Sequence, residues 1–267
     1  MEKIEALFAG IDEGVERLKS AQAQIKQYRQ SVLKSAFEGK LTQTNMMDIK
    51  VKDLGNIITG STPNTSHTEY YGDDYPFYKP TDLNMGYYVN YANDTVSELG
   101  FSISRQLPEK SILVTCIGAT IGKTGLIRKK GICNQQINAI IPCNKYVPEF
   151  IYFYAISRKF QNDIKNNASA TTLPILNKTS FENLNFKSCL LAEQQRIVEE
   201  IEKRFTVADV LKKAVNEGLE KADKLKQSVL KKAFEGKLVA QNPNDKPIYV
   251  LLERIKKSQT PTKGKKK

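Results

Sequence analysis

The sequence has few of the residues from which catalytic and metal sites are built. It contains a single histidine, His67, in a Ser/Thr/Asn-rich stretch without an evident partner. Its cysteines form no C-x-x-C pair, so we exclude a zinc site, which needs closely spaced ligands. We expect buried or idle thiols in a reducing cytoplasm rather than disulfides, because no secretory signal is evident. The four cysteines are Cys116, Cys133, Cys143 and Cys189.

Long apolar runs are missing as well. No stretch approaches the roughly 20 apolar residues of a membrane span. The N-terminal segment MEKIEALFAGIDEG is acidic and amphipathic, and it lacks the basic region followed by an apolar region that marks a signal peptide. The sequence therefore predicts a cytoplasmic protein with no membrane partner.

Two common signatures of enzymes that act on nucleotides are also absent. The segment GATIGKTG at 118–125 resembles a phosphate loop, but only three residues separate Gly118 from Gly122, where a Walker A sequence has four. The Asp/Asn-Pro-Pro-aromatic tetrapeptide of a methyltransferase does not occur. We conclude that the chain is not itself an enzyme, and we predict no cofactor and no metal for it.

The most prominent feature of the composition is its basic charge. The 267 residues hold 41 Lys and Arg against 29 Asp and Glu, a formal net charge of +12. That excess favours a polyanionic partner, either nucleic acid or an anionic membrane surface. A solvated basic surface with a basic tail is the alternative. The length allows one substantial core with additional elements, or two small domains.

An internal repeat organises the chain. Residues 30–42 read QSVLKSAFEGKLT and residues 227–239 read QSVLKKAFEGKLV, identical at eleven of thirteen positions at an offset of 197. Further upstream, Ile4, Glu5, Phe8 and Asp12 align with Ile201, Glu202, Phe205 and Asp209. A duplicated element therefore flanks a different middle section.

Both copies predict long helices. Apolar residues from Ile4 to Val32 alternate in steps of four and three, a heptad seam that Gln22 and Arg29 weaken. Each copy ends in FEGKL, and Gly39 and Gly236 suit the left-handed position after a helix. We predict long helices over 1–42 and 192–239 that pair as an antiparallel coiled coil, then a basic tail over 240–267. A helix of about 36 residues measures roughly 54 Å, or about 16 base pairs of DNA; a dimerisation stalk is the alternative.

Residues 46–190 have a different character, because Gly, Pro, Asn, Thr and Tyr become frequent and the heptads stop. Turn signals separate several short β-like runs. Residues 148–164 predict a helix that begins at Pro148. We therefore predict the α+β class, with one mixed α/β domain flanked by two long helices. The predicted strands are Asn56–Thr59, Ser111–Ile117, Gly125–Ile127 and Ile137–Ile141.

This middle section contains side chains suited to reading DNA. Asn134, Gln135 and Gln136 are adjacent amides, and Asn or Gln can bond an adenine edge through two hydrogen bonds. Such amides also serve loops and strand edges, and the tyrosines that crowd residues 70–91 also serve core and rim packing, so both interpretations stay open. Cations that can meet phosphates or guanine are Lys79, Arg105, Lys123, Arg128, Lys129 and Lys130.

The order of these features resembles the specificity subunits of type I restriction–modification enzymes. Each motif is weak alone, and the resemblance rests on their order over nearly the whole chain. The motifs are Leu54-Gly55, Gly60-Ser61-Thr62-Pro63, KPTD at 79–82, Leu107-Pro108, ATIGK at 119–123, Asn134–Gln136, Thr171-Thr172-Leu173, EQQRI at 193–197 and the tail from Pro247 to Lys257. From motif and chemistry together we predict DNA contacts at Ser61, Thr62, Lys79, Thr81, Arg105, Thr120, Lys123, Asn134, Gln135, Gln136, Thr171 and Thr172.

The resemblance implies a role in a larger assembly. In that family, antiparallel helices act as a ruler, and two recognition domains at its ends read the halves of an interrupted site in double-stranded DNA. The helices dock methyltransferase subunits, which use S-adenosylmethionine to methylate adenine at N6, and a separate motor–nuclease subunit cuts unmodified DNA. This chain would supply sequence choice. A coiled-coil scaffold without DNA reading, or an enzyme acting on nucleic acid, are the rival interpretations.

One departure from the family pattern matters. The usual subunit carries two recognition domains, whereas this sequence contains one, and its first residues EKIEALF resemble the middle of a helical repeat. We interpret the chain as a half-subunit, a truncated product or one part of a split gene. Because an interrupted site needs two readers, we expect it to work with a second copy of itself or with another specificity chain.

Overall fold

The computed structural model describes residues 2–84, 87–169, 172–240 and 248–258. Within these ranges the α-helices are α1 (Glu2–Phe37), α2 (Glu98–Ser102), α3 (Pro148–Ala155), α4 (Arg158–Asn167), α5 (Lys178–Glu182), α6 (Leu191–Phe234) and α7 (Ile248–Ser258). The strands are β1 (Met47–Lys50), β2 (Gly55–Thr59), β3 (Tyr75–Tyr78), β4 (Tyr88–Val89), β5 (Asp94–Val96), β6 (Ile112–Thr115), β7 (Thr124–Ile127), β8 (Ile132–Cys133), β9 (Ile137–Pro142) and β10 (Asn185–Ser188). Short 3₁₀ turns cover Val51–Leu54, Thr68–Tyr70 and Asp82–Asn84.

The chain divides into two compact units. The helical unit comprises the residues up to Ala23 and those from Lys212 onward, and the mixed unit comprises Gln24–Leu211. Long helices and sheets occur together, so the predicted α+β class is confirmed.

The long helices run antiparallel to each other in the helical unit, as predicted. In the helical unit, Asp12 pairs with Lys226 and the Gln22 amide donates to Asn216 at 3.2 Å, so partner numbers fall along α6 as they rise along α1. A Cβ atom on Gly218 would lie 3.1 Å from the Leu18 side chain, which shows how closely the two backbones approach. In the mixed unit, Arg29 of α1 forms an ion pair with Asp209 of α6.

Both long helices end as their sequences predict. Gly39 and Gly236 have φ values of +75° and +68°, the left-handed conformation that glycine adopts at low cost. After α1, Lys40 N–H donates to Ser35 at 2.9 Å, and after α6, Lys237 N–H donates to Lys232 at 2.8 Å. These bonds satisfy carbonyl groups that the last helical turn leaves free.

Three sheets form the mixed unit. The largest has the order β2-β9-β6-β7-β4 and is antiparallel except for the β4–β7 pair. A second has the order β5-β3-β8, and β1 pairs with β10. All four residues of β6 are buried, because the large sheet is covered on both faces. Helix α3 lies on one face, and six of its eight residues are buried.

One sequence prediction needs correction. The single helix expected over 148–164 is two helices, because Ser157 caps α4 by accepting from Phe160 N–H. The apolar run through the break is continuous, which hid the interruption from periodicity. Within the segment predicted as a basic tail, residues 248–258 form the helix α7, and the tail itself stays a prediction.

Candidate nucleic-acid interface

The Gly60–Pro63 loop is pressed against the turn that follows β8. A Cβ atom on Gly60 would lie 2.2 Å from the Asn134 carbonyl oxygen and 2.3 Å from that of Cys133. Ser61 N–H donates to the Cys133 carbonyl at 2.9 Å. Only glycine allows the backbone at residue 60 to come this close to the turn. Gly60 therefore lets two of the predicted motifs lie side by side, although more than 70 residues separate them in the sequence.

Thr62 and Gln135 form a contact at the exposed surface of this pair of loops. The Thr62 hydroxyl donates to the Gln135 side-chain oxygen at 2.7 Å, and both residues are exposed. The bond fixes the orientation of the amide, and it leaves one lone pair and both N–H donors open among the described residues. Those are the groups that an amide uses on an adenine edge.

Asn134 and Gln136 are tied to each other within the turn. The Asn134 amide donates to the Gln136 side-chain oxygen at 3.0 Å, and its own oxygen accepts from Gln136 N–H at 3.2 Å. Asn134 is only 9% exposed, whereas Gln136 is half-buried. The N–H of Asn134 also donates to the Tyr78 carbonyl at 3.1 Å. Asn134 therefore holds the turn in place, and the N–H₂ group of Gln136 remains without a described partner.

Arg105 lies beside the same loops. Its guanidinium donates to the Thr59 carbonyl at 2.7 Å, at the end of β2, and the side chain is exposed. A bridge between Leu107 and Gly131 holds this segment against the approach to β8. Burial raises the pKa of the Cys133 thiol to about 12, and the Arg105 charge opposes that rise. Arg105 therefore adds positive charge next to the amides.

Two further predicted segments flank Gln136. The Gln136 carbonyl accepts from Cys116 N–H at 2.7 Å. The side-chain nitrogen of Gln136 lies 3.7 Å from the position that a Cβ atom on Gly118 would take. Gly118 N–H donates to Pro174 at 2.9 Å, so the loop before β7 meets the segment that holds Thr172. Thr171 lies outside the described residues.

Thr120 and Lys123 close the loop between β6 and β7. Lys123 N–H donates to the Thr120 carbonyl at 3.1 Å. Lys123 is half-buried, and within the described ranges its ammonium group makes no ion pair. The loop therefore offers a positive charge that pairs with no acidic group among the described residues.

The Lys79–Asp82 turn is organised by a buried carboxylate. Asp82 is fully buried and accepts from Lys79 N–H at 2.7 Å and from the Asn93 amide at 2.7 Å. Lys79 itself pairs with Asp94 at 2.8 Å, a partner that the sequence did not reveal. The turn adjoins the amide loop, because Tyr78 accepts the Asn134 N–H, and Thr81 is exposed on it.

The turn at residues 128–130 was not among the predicted contacts, although its cations were noted. Arg128 lies over the Tyr88 ring at 3.8 Å, and Lys130 lies over the Tyr75 ring at 4.9 Å. The Lys129 carbonyl accepts from the Tyr78 hydroxyl at 2.9 Å. The alternation of tyrosines and cations in the sequence was the available signal, and Tyr75 and Tyr88 also stack on Phe101 and Tyr87.

The single histidine and the described helices were also checked against the other classes of site. His67 has a partner after all, because its Nδ1 lies 2.8 Å from Glu69, and its ring stacks on Tyr70. Across the residues that the structure describes, no cluster of His, Cys, Asp and Glu could hold a metal ion. None of the described helices is long and apolar enough to cross a membrane.

Comparison with solved structures shows a shared fold. HsdS from Thermoanaerobacter tengcongensis matches with a TM-score of 0.58 at 18% identity, over 89% of this chain and 57% of the other. A chain from a structure on complex assembly and conformational transition of the type I R-M system matches with a TM-score of 0.63 at 18% identity, over 89% and 60%. The long helices with one mixed α/β domain thus have the architecture of this class of protein.

Sequence comparison identifies the family. The model of the type I restriction modification DNA specificity domain matches residues 43–221, and the chain belongs to that family. The specificity subunit of the type I restriction enzyme HindI from Haemophilus influenzae is 34% identical over 160 residues, covering 57% of this chain and 35% of the relative. The EcoBI specificity subunit of Escherichia coli is 29% identical over 299 residues, covering 99% and 63%. The chain therefore spans less than two thirds of the length of these relatives.

Proposed function

We propose that this chain reads double-stranded DNA as the sequence-specificity component of a type I restriction–modification complex. The observation that carries the proposal is the exposed Gln135 amide, which Thr62 orients, next to the free N–H₂ group of Gln136 and the charge of Arg105. Membership of the DNA specificity domain family supports it. The recognition domain of residues 46–190 is the proposed reader.

The predicted residues take different roles in this proposal. Gln135 or Gln136 contacts a base edge, because both amides retain N–H donors without a described partner. Arg105 and Lys123 contact phosphates, which position the protein without reading sequence. Asn134 positions the amides. The flanking contacts are assigned to Ser61, Thr62, Lys79, Thr81, Thr120, Thr171 and Thr172.

The remaining partners follow from the family. We propose that α1 and α6 act as the ruler and dock methyltransferase subunits, which bring S-adenosylmethionine, and that a restriction subunit joins the same complex. At 36 residues, α1 extends about 54 Å. In this proposal the chain works in the cytoplasm, holds no cofactor and performs no catalysis.

The rival proposal, a coiled-coil scaffold without DNA reading, is tested by binding to DNA. We expect the chain, assembled with its methyltransferase, to bind DNA with an affinity that falls steeply with salt. The slope of log affinity against log salt is about −0.9 for each phosphate contacted. An affinity that does not change with salt, or no binding in that assembly, would favour the scaffold.

A further inference from the structure

The loop between β6 and β7 is held by one side chain of α4. The Gly122 carbonyl accepts a hydrogen bond from the Gln161 side-chain amide at 2.7 Å, across 39 positions of the sequence. Gly122 directly precedes Lys123, to which the proposed function assigns a phosphate contact. Gln161 therefore acts on the backbone next to that contact.

The same amide also binds the end of α3. The Gln161 side-chain nitrogen donates to the Ala155 carbonyl at 2.7 Å, so both of its N–H donors are used. Ala155 is the last residue of α3, where carbonyl groups have lost their helical partners. One planar amide thus joins the loop to the end of a buried helix, and it satisfies a carbonyl group on each.

The glycine and the amide fit each other closely. A Cβ atom on Gly122 would lie 2.3 Å from the Gln161 side-chain oxygen, so only a glycine leaves room for the amide in this position. The φ of Gly122 is +90°, a conformation that glycine adopts at low cost. On its other side, Gly122 N–H donates to the Thr115 carbonyl at 2.8 Å. Gly122 is therefore held between β6 and α4.

The backbone of Lys123 continues this arrangement. Its carbonyl accepts from Thr115 N–H at 2.8 Å, and its N–H donates to the Thr120 carbonyl at 3.1 Å. The ammonium group thus starts from a backbone that β6 fixes on one side and Gln161 fixes through the preceding residue.

The helix that carries Gln161 is itself anchored to α1. The Gln30 amide donates to the Ile156 carbonyl at 3.3 Å and accepts from Arg158 N–H at 2.8 Å. These are backbone groups that the break between α3 and α4 leaves without a helical partner. Because the start of α4 is fixed in this way, the contact from Gln161 constrains the loop rather than the helix.

We propose that Gln161 is a positioning residue for DNA binding, which holds the loop so that Lys123 meets a phosphate of the DNA backbone. A lysine side chain is flexible, and a contact is stronger when the group that makes it is held in place before binding. The inference rests on the proposed function, because it assigns Gln161 to the phosphate contact of Lys123. A purely structural role, in which Gln161 stabilises the fold alone, is the alternative that the test must separate.

The test compares Gln161→Met with Asn162→Ala in the full chain assembled with its methyltransferase. Methionine keeps a similar length and bulk and removes both N–H donors. Asn162 is the next residue of α4 and is exposed, so its variant is the matched control. The affinity for DNA is measured against salt concentration. Lys123→Ala is added to the unmutated chain and to the Gln161→Met chain.

We expect Gln161→Met to lower the salt slope by about 0.9, the share of one phosphate contact, and Asn162→Ala to leave the slope unchanged. Over a fourfold change in salt this difference amounts to about 3.5-fold in affinity. Lys123→Ala and Gln161→Met together should lower the slope no further than Lys123→Ala alone, because both remove the same contact.

The contrary result is a slope that Gln161→Met leaves unchanged, with Lys123→Ala keeping its full effect in both backgrounds. Gln161 would then only stabilise the fold, and the inference would be overturned while DNA reading stands. Absence of salt-dependent binding by the unmutated chain would contradict the proposed function itself, and the inference with it. The two failures are therefore distinguishable.

Amide hydrogen exchange gives a second measurement that needs no DNA. The amides of Gly122 and Lys123 should exchange roughly tenfold faster in Gln161→Met than in Asn162→Ala, because the loop opens locally, whereas the amides of β9 should not change. If Gln161→Met does not fold, Gln161→Asn withdraws the same amide by one methylene and takes its place. Equal exchange in the loop, or faster exchange of all amides alike, would overturn the proposal.

Discussion

Gly60→Ala should damage the candidate interface by forcing two loops apart. The added Cβ atom would lie 2.2 and 2.3 Å from two carbonyl oxygens, whereas ordinary contact begins near 3.4 Å. These atoms belong to backbone on both sides, so no flexible side chain can yield. The loops must separate by about 1 Å to relieve an overlap of this size.

The expected cost follows from the contacts that this separation breaks. Overpacking of this kind costs about 1–3 kcal/mol. The hydrogen bonds from Gly60 to Ile137 and from Ser61 to Cys133, at 3.0 and 2.9 Å, contribute about 1 kcal/mol each. Together these terms lower the free energy of unfolding by about 3–5 kcal/mol. The Thr62–Gln135 contact should be lost with them, so sequence-specific DNA binding should fall further than stability.

Urea unfolding measures the first effect, with the midpoint shifting and the slope unchanged. Gly10→Ala is the control, because nothing lies within 4 Å of the added atom and alanine favours a helix interior by up to about 1 kcal/mol. A Gly60→Ala protein with the wild-type midpoint would refute the packing of residues 60–62 on residues 133–134.

Three further predictions concern thiols, a buried carboxylate and a cation. Burial raises the pKa of the Cys116, Cys133 and Cys189 thiols to about 12, 12 and 11. At pH 8 a thiol reagent should therefore label only the exposed Cys143 in the folded chain, and all four cysteines in urea. Rapid labelling of two cysteines in the folded chain would contradict this. Asp82→Ala removes the acceptor of several buried hydrogen bonds and should cost about 3–5 kcal/mol in urea unfolding; a loss under 1 kcal/mol would argue against the buried turn. Lys123→Ala should reduce the salt slope of DNA binding by about 0.9 and weaken all sequences alike, whereas Lys213→Ala should not; an unchanged slope would remove Lys123 from the phosphate contacts.

Local signals predicted the regular elements well. The FEGKL sequences placed the left-handed glycines after α1 and α6, since that chemistry depends on a few neighbouring residues. The runs at 56–59 and 137–141 became paired strands β2 and β9. The break at Ser157 was missed, because it depends on a cap and on the distant Gln30 amide, neither of which changes the apolar pattern.

Long-range contacts within the candidate site were only partly predictable. The order of the motifs predicted that Gly60–Pro63 and Asn134–Gln136 both contact DNA. It did not predict that Thr62 orients Gln135, because that hydrogen bond joins residues 73 positions apart. The acidic partner of Lys79 likewise comes from a separate strand. The opposite exposure of Phe37 and Phe234 could not be predicted from the repeat, because the two copies are nearly identical in sequence there and differ in what packs on them.

The central claim is that Gln135 or Gln136, the glutamines that follow β8, reads a base, and one measurement tests it most directly. The chain and its Gln135→Ala and Gln136→Ala variants, each assembled with the methyltransferase, select binding sites from a randomised DNA pool. Asn162→Ala, an exposed amide on α4, is the matched control. We predict that at least one glutamine variant loses discrimination at one base position, by about 1–3 kcal/mol, and keeps its affinity for unrelated sequences. Unchanged site preference and affinity in both variants would contradict the account.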